Sequence, residues 1–135
     1  MKRQRTRLQA YKHVLAMFKA KRLGAYSSKD RSCAYRLDER RCAVGCFFTE
    51  AQLDDITERR LNIKAGVSQL AAIIGQKNIE HVTGLTLKEL IDLQSYHDSE
   101  AANDWNKSGI RDGLKTSRFY KFVTEKIQNL SGSYR

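Results

Sequence analysis

Apolar residues recur along this chain at helical spacing, in blocks separated by short polar stretches. Leu8, Tyr11, Val14, Leu15 and Phe18 fall three or four residues apart, which lines one face of a helix. They predict an element from about Thr6 to Arg22, with Gly24 suited to the position after its end. Val67, Leu70, Ala71, Ile73 and Ile74 predict a short helix ended by Gly75. Leu87, Leu90, Ile91, Gln94, His97 and Ala101 mark one side of a longer helix reaching to about Asn103. Phe119, Phe122, Val123, Ile127 and Leu130 mark the buried side of a last helix, from about Ser117 to Leu130. Two starts carry a full reciprocal capping pattern. Thr49-Glu50-Ala51-Gln52 opens a short helix with Leu53, Ile56 and Leu61, and Phe48 is placed to pack on Leu53. Thr86-Leu87-Lys88-Glu89 opens the long one, with Leu85 and Leu90 in the same relation.

After the first helix and the polar stretch Ala25–Asp30 the period changes to two. Ser32–Arg36 and Arg41–Cys46 read as the arms of a β-hairpin joined by Leu37-Asp38-Glu39-Arg40. With Arg36 facing Arg41, Tyr35 pairs with Cys42 and Cys33 with Val44. Cys33, Tyr35, Cys42, Val44 and Cys46 then share an apolar face, and Ala34, Arg36, Arg41, Ala43 and Gly45 the open one. The fold class expected is α+β: a helix-rich single domain over residues 1–135, with one short antiparallel β-hairpin packed against helices. Residues 131–135 are expected to be a frayed tail. A chain of 135 residues is one domain's worth and buries a modest core.

Charge changes this picture most. Residues 1–41 carry 13 Lys/Arg against 3 Asp/Glu, residues 42–106 carry 5 against 10, and residues 107–135 carry 7 against 2. Two basic ends flank an acidic middle. If the fold brings the ends together, they form a surface for phosphates or for an acidic protein. If instead they dock on the middle, the charge is neutralised inside the fold. No run of eighteen apolar residues predicts a membrane span, and the basic N-terminus leads into an amphipathic stretch rather than a signal-peptide core. Three cysteines, an odd number, point to a reducing compartment, so the expected location is the cytosol.

Candidate chemistry is sparse. Cys42-x₃-Cys46 has the nominal spacing of a zinc knuckle, and His97 or His81 would have to complete the ligand set. On an extended strand, however, those two thiols stand about 13 Å apart. Cys42 or Cys46 could act as a nucleophile with His97 as base and Asp98 or Asp104 orienting it, the Thr49 helix start lowering the Cys46 pKa. Adjacent helical residues point about 100° apart, which makes Asp98 a poor orienter. His97-Asp98 also matches the dipeptide of metal-dependent phosphohydrolases, but His81 and Asp112 are cramped as the remaining ligands. The simpler readings are three small buried hydrophobes, a hydrogen-bonded core histidine and, in Trp105, a core anchor. The chain has no Gly-rich phosphate loop, serine elbow or two-Cys/two-His finger. No metal, no cofactor and no catalytic residue is expected.

Cys33-x-Tyr35-Arg36 followed by Arg41-Cys42-Ala43-Val44-Gly45-Cys46, then Phe47-Phe48, then Leu93-Gln94-Ser95-Tyr96-His97-Asp98 and Trp105, resembles small uncharacterised proteins of phages and prophages. The resemblance spans residues 33–105 and leaves both basic ends outside. It implies a phage-type accessory protein acting in the cytoplasm of a bacterial host, where such proteins bind host or defence machinery. The function expected is therefore non-enzymatic binding to an acidic host protein or nucleoprotein complex through a basic surface. Its residues are Lys2, Arg3, Arg5, Arg7, Lys12, Lys19 and Arg22, with Arg36 and Arg41 from the hairpin. The alternatives are a nucleic-acid-binding regulator, with Tyr26 and Tyr120 as stacking candidates, and a Cys-His-Asp thiol hydrolase. The target and the oligomeric state are not legible.

Overall fold

The computed structural model describes residues 4–20, 22–23, 26–27, 32–33, 36–37, 40–58, 67–100 and 118–132. Six helices stand among them: α1 (Arg7–Lys19), α2 (Glu50–Glu58), α3 (Val67–Ile74), α4 (Gln76–Thr83), α5 (Leu87–Glu100) and α6 (Arg118–Ser131). Three of them open on capping boxes. Thr6 and Gln9 exchange side chain-to-backbone bonds of 3.1 and 2.9 Å, Thr49 and Gln52 do so at 3.1 and 2.8 Å, and Thr86 and Glu89 at 3.2 and 3.1 Å. Each box satisfies two amide donors that the first turn of a helix leaves without partners.

Packing is most extensive between α1 and α6, then between α6 and α5, and α5 leads on to α3 and α4. Chain ends far apart in sequence are thereby adjacent. Ala10, Tyr11, Val14 and Phe18 are the buried residues of α1, and Phe119 and Val123 those of α6. Ring contacts stitch the seam: Phe18 lies 5.5 Å from Phe119 and 6.1 Å from Tyr120, and Tyr11 6.5 Å from Phe122. Leu90 and Leu93 of α5 and Leu70 of α3 complete the centre of the core, all fully buried.

The expected hairpin, with arms Ser32–Arg36 and Arg41–Cys46 and Cys33 on Val44, is not there, since Cys33 pairs with Tyr26, and the fold is helical rather than α+β. Cys42 to Val44 form a turn and Gly45–Phe47 a single turn of 3₁₀ helix. Backbone bonds run from Cys46 N to Cys42 O at 3.1 Å, Phe47 N to Val44 O at 3.2 Å and Phe48 N to Gly45 O at 3.1 Å. The physical reason is burial on every side. All residues from Arg41 to Phe48 are buried, whereas a hairpin with one open face leaves alternate residues in solvent. A coiled segment closes its own amide bonds while it sits inside the core. Extended pairing among the described residues amounts to one isolated parallel bridge, Leu23 to Arg41, and two ladders of two residue pairs, shorter than ordinary strands. Tyr26 and Ser27 face Cys33 and Ser32, and Arg36 and Leu37 face Arg41 and Arg40. Pairing from Arg36–Arg41 thus runs inward to the turn, not outward to Cys42 and Val44.

One helix has no counterpart in the sequence reading. α4 is held between two glycines of positive φ, Gly75 at 98° and Gly84 at 80°, and buries only Ile79 and Thr83. The residues expected in the frayed tail, Ser131 to Arg135, begin inside α6, and those beyond Gly132 lie outside the described residues, as do Trp105, Asp104 and Asp112.

Candidate interaction surface

Basic residues expected to face a partner divide into two groups. Arg5, Arg7 and Arg41 are built into the fold. Arg5 Nη1 donates to the carbonyl of Val82 at 2.7 Å, and its guanidinium carbon sits 5.3 Å from the centre of the Phe47 ring. Gln4 N donates to His81 O at 2.8 Å, so the strap ahead of α1 lies along the end of α4. Arg7 Nε donates to both carboxylate oxygens of Glu89, at 2.8 and 3.1 Å. Arg41 is buried, not placed on an open face. Its guanidinium pairs with Glu50 in the first turn of α2, and its amide donates to Arg22 O at 2.7 Å. Desolvation would make this cation costly without such a partner. The acidic middle is therefore met at two points by basic residues of the N-terminal segment.

Lys12, Lys19 and Arg22 form the second group, and all three are exposed. Lys12 and Lys19 stand seven residues apart on α1, hence on one face. The main packing partner of α1, α6, carries cations of its own. Arg118 and Lys121 are exposed, and Lys126 Nζ lies 5.4 Å from the centre of the Phe122 ring. Lys2, Arg3 and the side chain of Arg36 lie outside the described residues. Of the two stacking candidates, Tyr120 is half-buried against Phe18, and the side chain of Tyr26 is not among those described.

Glu89 is the electrostatic hinge between α1 and α5. Burial opposes its ionisation, but hydrogen bonds from Thr86 and Arg7 and the Arg7 charge outweigh that, holding the carboxyl below the usual range. It also accepts from the Tyr11 hydroxyl at 3.3 Å. Burial and the neighbouring negative charge of Glu89 both push the Tyr11 phenol upward.

The cysteine segment is inward and closed. Burial pushes the Cys42 thiol up to about 12, with the charge of Asp98 adding to it, and burial raises Cys46 as well. Cys42 Sγ accepts from Gly45 N at 3.1 Å, while the Cys46 thiol donates to Ala43 O at 3.2 Å. The side chain of Cys33 lies outside the described residues. His13, which the sequence reading passed over, places Nε2 at 2.8 Å from Cys46 O and packs its ring 5.3 Å from Phe47.

A polar bridge ties this segment to α5. Val44 N donates to Gln94 Oε1 at 3.1 Å, and Gln94 Nε2 donates to Asp98 Oδ1. His97 is fully buried, and its Nδ1 lies 3.0 Å from the same Asp98 oxygen. Helical spacing argues against that last contact, yet the structure makes it. Among the described residues no three His, Cys, Asp or Glu side chains converge as metal ligands. No helix among them is long and apolar enough to cross a membrane. No family model, curated protein or solved structure matches the chain.

Proposed function

We propose that the protein is a non-enzymatic binding protein, a phage-type accessory factor of the bacterial cytoplasm. It engages an acidic face of a host protein or nucleoprotein complex. The observation that carries this reading is the packing of α1 on α6, which sets helices from the two basic ends of the chain side by side while Lys12, Lys19 and Arg22 stay exposed. Lys12, Lys19 and Arg22 are the contact residues supported best, because they are exposed and folding makes little use of exposed cations. The motif resemblance over residues 33–105 supports the bacterial setting. A non-catalytic role is supported by Cys42 and Cys46, whose thiols burial keeps protonated at neutral pH, whereas thiol nucleophiles react as thiolates.

Affinity capture from bacterial lysate, with and without nuclease, tests the reading against a Lys12→Glu, Lys19→Glu double variant. The expected result is a protein retained after nuclease and lost from the charge variant. Capture abolished by nuclease would transfer the role to a nucleic-acid regulator, and equal capture by parent and variant would dismiss the basic face.

A further inference from the structure

Two leucines of α1 that the sequence pattern assigns to the core stay at the rim of the fold. Ala10, Tyr11, Val14 and Phe18 are buried, but Leu8 and Leu15 are only half-buried. Leu15 packs on the edge of the core cluster, and Leu8 takes no part in it. Lys12 and Lys19, both exposed, alternate with them. We infer that this stripe, Leu8-Lys12-Leu15-Lys19, docks an acidic amphipathic helix of a partner protein. The leucines meet its apolar face and the lysines its carboxylates. This rests on the reading of α1 as the contact element and adds what the partner presents to it.

Spacing favours a helix as the occupant. Steps of four, three and four residues hold all four side chains within about 60° of arc, at 100° per residue. Each residue type recurs after seven positions, about 10.5 Å along the axis. A partner helix lying alongside repeats its own contacts at that interval. A strand does not, because side chains on one of its faces recur about every 6.6 Å. Lysine stems widen the apolar strip, since they lay their methylenes along apolar surface and keep the ammonium in water. From Leu8 to Lys19 the strip runs about 16 Å, or about three helical turns.

Charge selects the partner's chemistry. α1 contains no acidic residue, and Glu89 is held by Arg7 and Tyr11, positions outside this arc. Glutamates flanking the apolar positions of a partner helix reach the lysine heads as they do across a coiled coil. A second copy of α1 would instead set lysine against lysine. Duplex nucleic acid fits less well, because the leucines between the lysines would face phosphates and gain nothing there. A bilayer also fits less well, since half-buried leucines do not reach the depth of about 5–10 Å at which interfacial helices bury their apolar face.

Fluorescence anisotropy of the full chain with three labelled synthetic peptides tests the inference. One is a heptad helix with leucine at its apolar positions and glutamate beside them. The second is a scrambled sequence of the same composition, and the third carries lysine in place of glutamate. The acidic helix should bind at least tenfold more tightly than the scrambled peptide, and the lysine peptide should not bind. Leu8→Gln should weaken the acidic helix at least fivefold, while the melting temperature and the weaker binding of the scrambled peptide stay unchanged. Lys12→Glu with Lys19→Glu should weaken both acidic peptides at least tenfold. Lys77→Glu on α4, also an exposed site, should weaken neither. If the two acidic peptides bind alike and Leu8→Gln changes nothing, helix docking is wrong and the basic face stands. If the double charge reversal changes neither peptide, the reading of α1 as the contact element falls as well. Duplex DNA or phosphatidylserine vesicles bound where the acidic helix is not would overturn the inference in favour of those surfaces.

Discussion

Glu89 closes the capping box of α5, holds Arg7 and receives the Tyr11 hydroxyl. Its carboxyl ionises more readily in the folded chain than in the unfolded one. The stability it contributes is therefore present above the unfolded pKa and is lost as pH falls through the lower folded value. Glu89→Gln is expected to cost about 1.5–3 kcal/mol near neutrality, the range for charge-assisted hydrogen bonds, and to flatten the acid side of the stability profile. Urea denaturation at pH 7 and pH 3 checks both statements. Parallel profiles for parent and variant would contradict the assignment. A second residue-scale prediction concerns the thiols. In a Cys33→Ser background, Cys42 and Cys46 should label with a thiol reagent only as fast as the protein opens, since both are buried and raised in pKa. Stoichiometric labelling within minutes, without denaturant, would show an accessible thiolate and reopen the thiol-hydrolase reading.

Two glycines of similar backbone make unequal demands on the elements they join. At Gly84 a Cβ would stand 2.4 Å from the backbone oxygen of Arg5, whereas at Gly75 it would meet only the side chain of Asn78, at 3.1 Å. Both have positive φ, which costs a side chain-bearing residue about 1–2 kcal/mol. Gly84→Ala should exceed Gly75→Ala in destabilisation, because backbone cannot swing aside as an amide side chain does. It should also displace the strap of residues 4–6, measurable as faster amide exchange at Gln4. Equal losses in the two variants would mean the close approach does not matter. Sequence made the capped helices legible because Thr49–Gln52 and Thr86–Glu89 act within one turn. The end of α3 at Gly75 was legible for the same reason. α4 was not, since Ile79 and Val82 alone give no stripe and its register depends on the two flanking glycines. The Cys42–Cys46 segment alternates like a strand on paper, yet burial from all sides winds it into a turn, and no local signal reports burial. Arg41 shares that cause: a cation beside a supposed open face is in fact interior, neutralised by Glu50. Tyr96 and Phe122 could not be paired from sequence, as only the packing of α5 on α6 brings their rings together.

At the scale of the molecule, the proposed function gives the cations of α1 two different jobs, and substitution should separate them. Arg7 faces Glu89 across the α1–α5 boundary, so Arg7→Glu sets two carboxylates together at the point where α5 is capped. Loss of the charge-assisted bonds alone should cost about 1.5–3 kcal/mol, and thermal melting should report it. Lys12 and Lys19 have no ion-pair partner among the described residues and lie in solvent. Reversing both should change stability by no more than about 1 kcal/mol per site. On the proposed function, their effect is on a partner. Over a screening length of about 8 Å at physiological salt, exposed charges act on an approaching acidic surface more than on the fold behind them. Binding by the parent should weaken as salt rises, and the double reversal should slow association more than it speeds dissociation. A nucleic-acid partner would instead give a log–log salt slope of about −0.9 per phosphate neutralised on a duplex. Should the Lys12→Glu, Lys19→Glu protein melt with the parent and bind its partner at the same rate in low salt, the exposed cations of α1 serve solubility alone, and the contact surface must be sought elsewhere.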